Sequence, residues 1–198
     1  MTVLRQPQMI DCDPARFDEV CRLLAEAVNR RYQPDLVVGI ATGGAHVAER
    51  MRPFFAHEPS MTNIRIRRAG TAVKGKLKAS STLPLLPRPV ANGLRWLEVE
   101  AREAAYRAKN ADVTMSARET EDLDRLAPAA RRVLIVDDMV DSGRTLEAAA
   151  AAVRARNSSC TVTTAVIASS WRKPPVQPDI CLYDRTLVRF PWSMDATR

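Results

Sequence analysis

The stretch Arg131 to Glu147, RRVLIVDDMVDSGRTLE, constrains this chain more than any other. Val133 to Val136 are four unbroken apolar residues, the pattern of a strand buried on both faces in a parallel sheet. Two carboxylates, Asp137 and Asp138, follow at the expected strand end. Met139, Val140 and a third acid, Asp141, lead to the small polar turn Ser142-Gly143. After Thr145 the chain reads LEAAAAAVRAR, strong helix composition. The order is strand, acidic loop, helix.

That order has a chemistry of its own. A helix N-terminus presents unpaired N–H groups and the positive end of the dipole. A glycine-containing loop feeding into it wraps a phosphate with backbone amides. Ser142 and Thr145 add hydroxyl donors. Carboxylates repel phosphate, but they accept hydrogen bonds from sugar hydroxyls or reach a divalent cation through water. The loop therefore suits a ligand with a phosphate at one end, hydroxyls beside it and Mg²⁺, which describes a sugar phosphate. The plain alternative is that Asp137 and Asp138 end a strand and Asp141 caps a helix. It leaves three acids in five residues, after a fully apolar strand, without a purpose.

LIVDDMVDSGRT resembles the signature of type I phosphoribosyltransferases, which bind 5-phosphoribosyl 1-pyrophosphate (PRPP). Every position fits: four apolar residues, two acids, two apolar residues, Asp, a small residue, Gly, any residue, Thr. The resemblance implies an α/β fold, a mainly parallel, doubly wound sheet of about five strands. It also implies a small variable hood. One domain would span residues 1–198, with hood and flexible loop at 60–130 joined by the C-terminal segment 170–198. The implied activity is Mg²⁺-dependent transfer of phosphoribosyl from PRPP to a nucleobase, a purine by preference, with release of pyrophosphate. By position, Asp137 and Asp138 would bind the ribose hydroxyls and meet the metal indirectly, through those hydroxyls or water. Asp141, Ser142, Gly143, Arg144 and Thr145 would hold the 5-phosphate. Asp141 falls where the family's candidate general base lies.

Asp35 to Ile40, DLVVGI, reads as a second buried strand, followed by ATGGAHVAERM. This repeats strand, glycine loop and helix, and two such units place ligands at the carboxyl ends of the strands. GIATGG resembles the family's pyrophosphate loop, which assigns Ala41, Thr42, Gly43 and Gly44 to the diphosphate. Many members carry Lys or Arg before the two glycines; this chain has Thr42, so its cations must come from elsewhere. Arg65, Arg67, Arg68, Lys74, Lys76, Lys78 and Arg88 fall together with no acid among them. Asn63 to Arg67 alternates like a half-exposed strand. RRAGTAVKGKLKAS reads either as a solvated surface loop or as a flap. In the family's manner the flap's cations, Arg67, Arg68 and Lys74, would neutralise departing pyrophosphate. No aromatic residue interleaves the cations from Asn63 to Arg95, which argues against a single-stranded nucleic-acid surface.

The remainder reads as scaffold. Pro14 to Tyr32 is helical, with Phe17, Val20, Cys21, Leu24 and Val28 at helical spacing and Asp13 as its cap. Pro89 to Lys109 is helical, and Leu94, Leu97, Ala101, Ala104 and Ala105 mark a possible buried face. Trp96 and Tyr106 read as packing rather than pocket lining. A strand is expected over Asp112 to Ala117, and a short helix over Glu119 to Ala127 with Ser116 and Glu119 as its capping pair. Cys160 to Ala168 and Ile180 to Tyr183 read as strands. The ending LVRFPWS resembles that of the xanthine/hypoxanthine branch, which would give Lys173, Val188, Phe190 and Trp192 to the base. Leu187 stands where that branch stacks an aromatic, and Ser193 where it has an acid. A simple edge-covering role for Phe190 and Trp192 stays open.

Composition bounds the class. A chain of 198 residues, 46% hydrophobic and 27% charged, suits one soluble domain with a sizeable core. No apolar run approaches the ~20 residues of a membrane span. MTVLRQPQMIDCD lacks a signal-peptide core. Cys12, Cys21, Cys160 and Cys181 are scattered, so a cytoplasmic protein with reduced thiols is expected. The charge of +7 suits an anionic partner. The expected partners are PRPP and a nucleobase or other nitrogenous acceptor, with no membrane, no nucleic acid, and a homodimer as the family's common state. The alternative is a PRPP-sensing regulator of the same fold, without turnover, that touches nucleic acid through residues 65–88.

Overall fold

The computed structural model describes residues 8–68, 88–109, 115–118 and 121–193. The elements are β1 (Gln8–Asp11), α1 (Pro14–Asn29), β2 (Leu36–Ile40), α2 (Gly43–Met51), β3 (Ser60–Arg68), α3 (Arg88–Lys109), β4 (Met115–Arg118), α4 (Glu121–Leu126), β5 (Arg132–Val140), α5 (Arg144–Arg154), β6 (Thr161–Ser169), β7 (Ile180–Tyr183) and β8 (Thr186–Arg189).

Six strands form one sheet in the order β4-β3-β2-β5-β6-β7. All neighbours run parallel except β3 and β4. The sheet is therefore mainly parallel and doubly wound as expected, with six strands rather than about five. Its two central strands are buried on both faces, which is why they read as unbroken apolar runs. Leu36, Val38, Ile40, Val133 and Ile135 pack with Leu123, Leu146 and Ala149 of α4 and α5. Val37, Leu134 and Val136 pack on the other side with Phe17, Leu24 and Val47 of α1 and α2. Helix α1 starts as its sequence dictates: Asp13 accepts the Arg16 N–H at 2.8 Å, and Pro14 opens the first turn.

Chain direction fixes where a ligand can sit. From β2 the chain passes through α2 outward to β3. From β5 it passes through α5 to β6, on the opposite side. The carboxyl ends of the adjacent β2 and β5 thus open onto the crevice of a topological switch point. Both glycine loops lie there.

Three local expectations need correction. Strand β1 had no sequence signal; its four residues pair only with β8, from the far end of the chain. Ser116 lies in β4, not at a helix cap. Helix α4 begins at Glu121, and Glu121, Asp122 and Asp124 meet its dipole in the first turn. Helix α3 turns the other way round. Leu94 is 46% and Leu97 67% exposed, and Ala101, Ala104 and Ala105 are exposed too. The buried side carries Val99, with Trp96 and Tyr106 packed against Trp171 and Leu187. Apolar spacing marks two faces on this helix, and the aromatic one makes the contact.

This orientation is checked by urea unfolding. Leu97→Gln should change stability by no more than about 0.5 kcal/mol. Leu24→Ala, in the main core, should cost about 2–5 kcal/mol. Equal losses for the two would refute the orientation of α3.

Candidate active site at the switch point

Strand β5 does not stop before its acids. Asp137 pairs with Val166 and Met139 with Ala168, so the ladder runs through to Val140. The two carboxylates are thereby held on rigid backbone. Each turns one oxygen onto the following amide: the Asp138 N–H donates to Asp137 Oδ1 at 2.9 Å, and the Met139 N–H to Asp138 Oδ1 at 2.8 Å. Burial, reinforced by the neighbouring Asp138 charge, pushes Asp137 well above the ordinary carboxylate range. Burial also raises Asp138, against hydrogen bonds from the Met139 amide and the Trp192 side chain.

The Ala41–Gly44 loop presses directly on these acids. A Cβ on Gly43 would lie 2.0 Å from Asp138 Oδ2, and one on Gly44 2.3 Å from the Val136 carbonyl. The two glycines are what let the N-terminus of α2 reach the end of β5. Thr42 is the N-cap of α2 and makes no side-chain capping bond, so its side chain does not cap the first-turn amides. The Ala41–Thr42 peptide is cis.

The second loop has the same logic. Gly143 sits at φ 74° and is the N-cap of α5, again with no side-chain capping bond. A Cβ there would also strike the Val176 carbonyl at 1.9 Å, and the Val176 N–H donates to the Ser142 carbonyl at 3.2 Å. The loop after β6 is thus the outer wall of the 141–145 loop. Asp141 does not cap α5. It receives a hydrogen bond from Ser170 Oγ, and Arg102 of α3 stands 3.5 Å away. The Arg144 guanidinium is engaged with Tyr106 Oη at 2.8 Å and Glu147 Oε2 at 2.7 Å.

The four residues assigned to the base part company. Phe190 is 3% exposed and Val188 is buried, and both side chains belong to the core beneath α1. Trp192 is 38% exposed and stacks on Phe190 at 4.9 Å, with the His46 ring 5.0 Å away. Of the C-terminal aromatics, Trp192 is the one beside Asp138. Lys173 is exposed, and its amide is held by Glu103 of α3. Arg67 and Arg68 end β3, but their side chains, and Lys74 altogether, lie outside the described residues. Sequence reasoning missed Arg102, Glu103, Ser170 and His46. None belongs to a motif, and only His46, four residues past Thr42, could have been placed from the pattern.

Two anion-ready helix N-termini flank an acidic pair and an oriented third carboxylate. This is the equipment of an α/β protein that binds a sugar phosphate. The chain belongs to the phosphoribosyl transferase domain family, whose model matches residues 8–194. No curated protein matches the sequence. Solved structures share the fold at low identity. The purine phosphoribosyltransferase of Pyrococcus horikoshii is 20% identical with a TM-score of 0.57, over 93% of this chain and 94% of that one. The Helicobacter pylori xanthine-guanine-hypoxanthine phosphoribosyltransferase is 14% identical with a TM-score of 0.61, over 95% and 96%. A hypothetical protein from Neisseria gonorrhoeae with bound ppGpp is 19% identical with a TM-score of 0.58, over 97% and 93%.

The raised Asp137 has a consequence for stability. Its folded form holds a proton that the unfolded chain releases at the ordinary carboxylate pKa of about 4. Stability from this group is therefore full at low pH and declines as pH rises toward the raised value. Asp137→Asn should raise Tm more at high pH than at low pH, measured without ligand. A pH-independent loss of Tm would overturn the assignment.

Proposed function

We propose that this chain, a phosphoribosyltransferase by family, transfers 5-phosphoribosyl from PRPP to a purine base, releases pyrophosphate, and works in the cytoplasm as a homodimer. The observation that carries the reading is that the first turn of α2 presses on the end of β5, whose Asp137 and Asp138 lead straight on to the N-terminus of α5. PRPP has phosphate at both ends and hydroxyls between, and the crevice has amides at both ends and carboxylates between. The purine preference rests on the FPW ending, on Trp192 at the crevice beside Asp138, and on the purine enzymes among the similar folds. All four cysteines are free, which fits a reducing compartment. No helix among the described residues is long and apolar enough to cross a membrane.

In this reading the amides of residues 141–145 hold the 5-phosphate, and those of 42–45 the pyrophosphate. With Thr42 in the loop, backbone dipoles carry more of the pyrophosphate charge than a Lys or Arg there would leave to them. Asp137 and Asp138 accept from the ribose hydroxyls. The residues suit Mg²⁺ of a particular kind. Among the described residues no cluster of three or more His, Cys, Asp or Glu is placed to cage a metal. A carboxylate pair beside a diphosphate is how Mg²⁺ is shared with a substrate. When bound it would neutralise charge on the leaving pyrophosphate. Asp141, held by Ser170 and Arg102, falls where the family's candidate general base lies, and in this reading it takes the proton from the attacking nitrogen. Preorganised charge around an oxocarbenium-like ribose supplies most of the acceleration.

Pyrophosphate release, measured with PRPP, Mg²⁺ and a panel of bases, tests the reading. Asp137→Asn combined with Asp138→Asn should abolish PRPP binding. Asp141→Asn should keep PRPP affinity and lose about 10²-fold or more in rate. Unchanged turnover in both variants would sink the site assignment. PRPP binding without release for any base would turn the reading toward a regulator.

A further inference from the structure

Helix α3 lies outside both motifs, yet two adjacent residues of it reach the site in different ways. Arg102 faces Asp141. Glu103 is 4% exposed and accepts two main-chain N–H bonds, from Arg172 to Oε2 and from Lys173 to Oε1, each at 3.2 Å. Two consecutive amides converging on one carboxylate form an anion nest, here filled from within the chain. A carboxylate is expensive to bury unless its hydrogen bonds are made, so this one fixes the loop firmly. The same loop is tied at each preceding residue. Ser170 donates to Asp141, and Trp171 packs with Val99, Tyr106 and Leu187. Residues 170–173 therefore have one end on the acid at 141 and the other on Glu103, one residue along the helix from Arg102.

We propose that Glu103 is a positioning residue for the acceptor. Through the amides of Arg172 and Lys173 it sets the 170–173 loop, which carries Lys173, the residue that the family resemblance gives to the base, while leaving the sugar-phosphate half of the crevice to the two glycine loops. This rests on the phosphoribosyl-transfer reading. A purely structural Glu103 would lower stability and weaken all ligands together. A positioning Glu103 separates the base from the sugar phosphate. Gln in its place keeps one acceptor oxygen and turns an NH₂ donor toward the second amide, so half the nest is broken at nearly constant volume. Asp keeps the charge and shortens the reach.

The experiment compares wild type, Glu103→Gln and Glu103→Asp by calorimetric titration with ribose 5-phosphate and with a purine nucleoside 5′-monophosphate. Base and PRPP KM values are measured alongside. Glu103→Gln should weaken the monophosphate and raise the base KM about tenfold. Ribose 5-phosphate affinity and the PRPP KM should stay within about twofold, with Asp recovering part of the loss. Equal weakening of both ligands, or a lower Tm with both affinities intact, would overturn the positioning role. A wild type that bound neither ligand would instead overturn the phosphoribosyl-transfer reading. One that bound ribose 5-phosphate and not the monophosphate would overturn a purine acceptor and this role with it.

Discussion

The first turn of α2 touches the end of β5 without a side chain of its own in between. Gly44 lies against the Val136 carbonyl and Gly43 against the Asp138 carboxyl. Parallel neighbours β2 and β5 bring their carboxyl ends together by topology, but topology alone leaves a gap the width of a side chain. Closing that gap turns two ordinary strand–helix units into one binding surface. It also removes water from around Asp137 and Asp138, and this burial is what raises their proton affinity. The acidic pair is therefore uncomfortable without a ligand, and the discomfort is relieved by cations and hydroxyls of the sort PRPP brings.

Helix α3 organises the other half. Beside the apolar contact of Val99, Trp96 and Tyr106 it makes polar ones: Asn92 with Arg189, Glu100 with Arg185 at 2.7 Å, Arg102 with Asp141, Glu103 with the 172–173 amides, Tyr106 with Arg144. Such a helix adds directional grips to its aromatic seam. Each grip reaches an element that touches the crevice or the C-terminal strand. Directional hydrogen bonds of this kind fix geometry more sharply than apolar contact, which tolerates sliding.

The parts legible in the sequence were those whose physics is local. The buried strands announce themselves as apolar runs, and the glycine loops by composition. The α1 cap is visible as Asp13-Pro14. What escaped depended on partners far away in the chain. Strand β1 is unreadable without β8, which lies some 180 residues on. The apolar spacing of Leu94 and Leu97 was genuine, yet Val99 and the aromatics of the same helix had the better-shaped receiver in Trp171 and Leu187. Phe190 and Trp192 looked equivalent in the FPW ending. Both rings stand edge-on to Phe17 of α1, yet Phe190 is buried in the core while Trp192 stays half-exposed beside Asp138. The Glu103 nest has no signature, because a buried carboxylate and an exposed one are the same letter.

The close approach at Gly43 and Gly44 also sorts the Ala41–Gly44 loop into what can drift and what cannot. At position 42 the side chain is no part of the contact, so Thr can stand where relatives carry a cation and the loop keeps its shape. At 43 and 44 a single methyl would push a strand and a helix apart. Such a loop can change its charge at position 42 while its contour at 43 and 44 stays fixed.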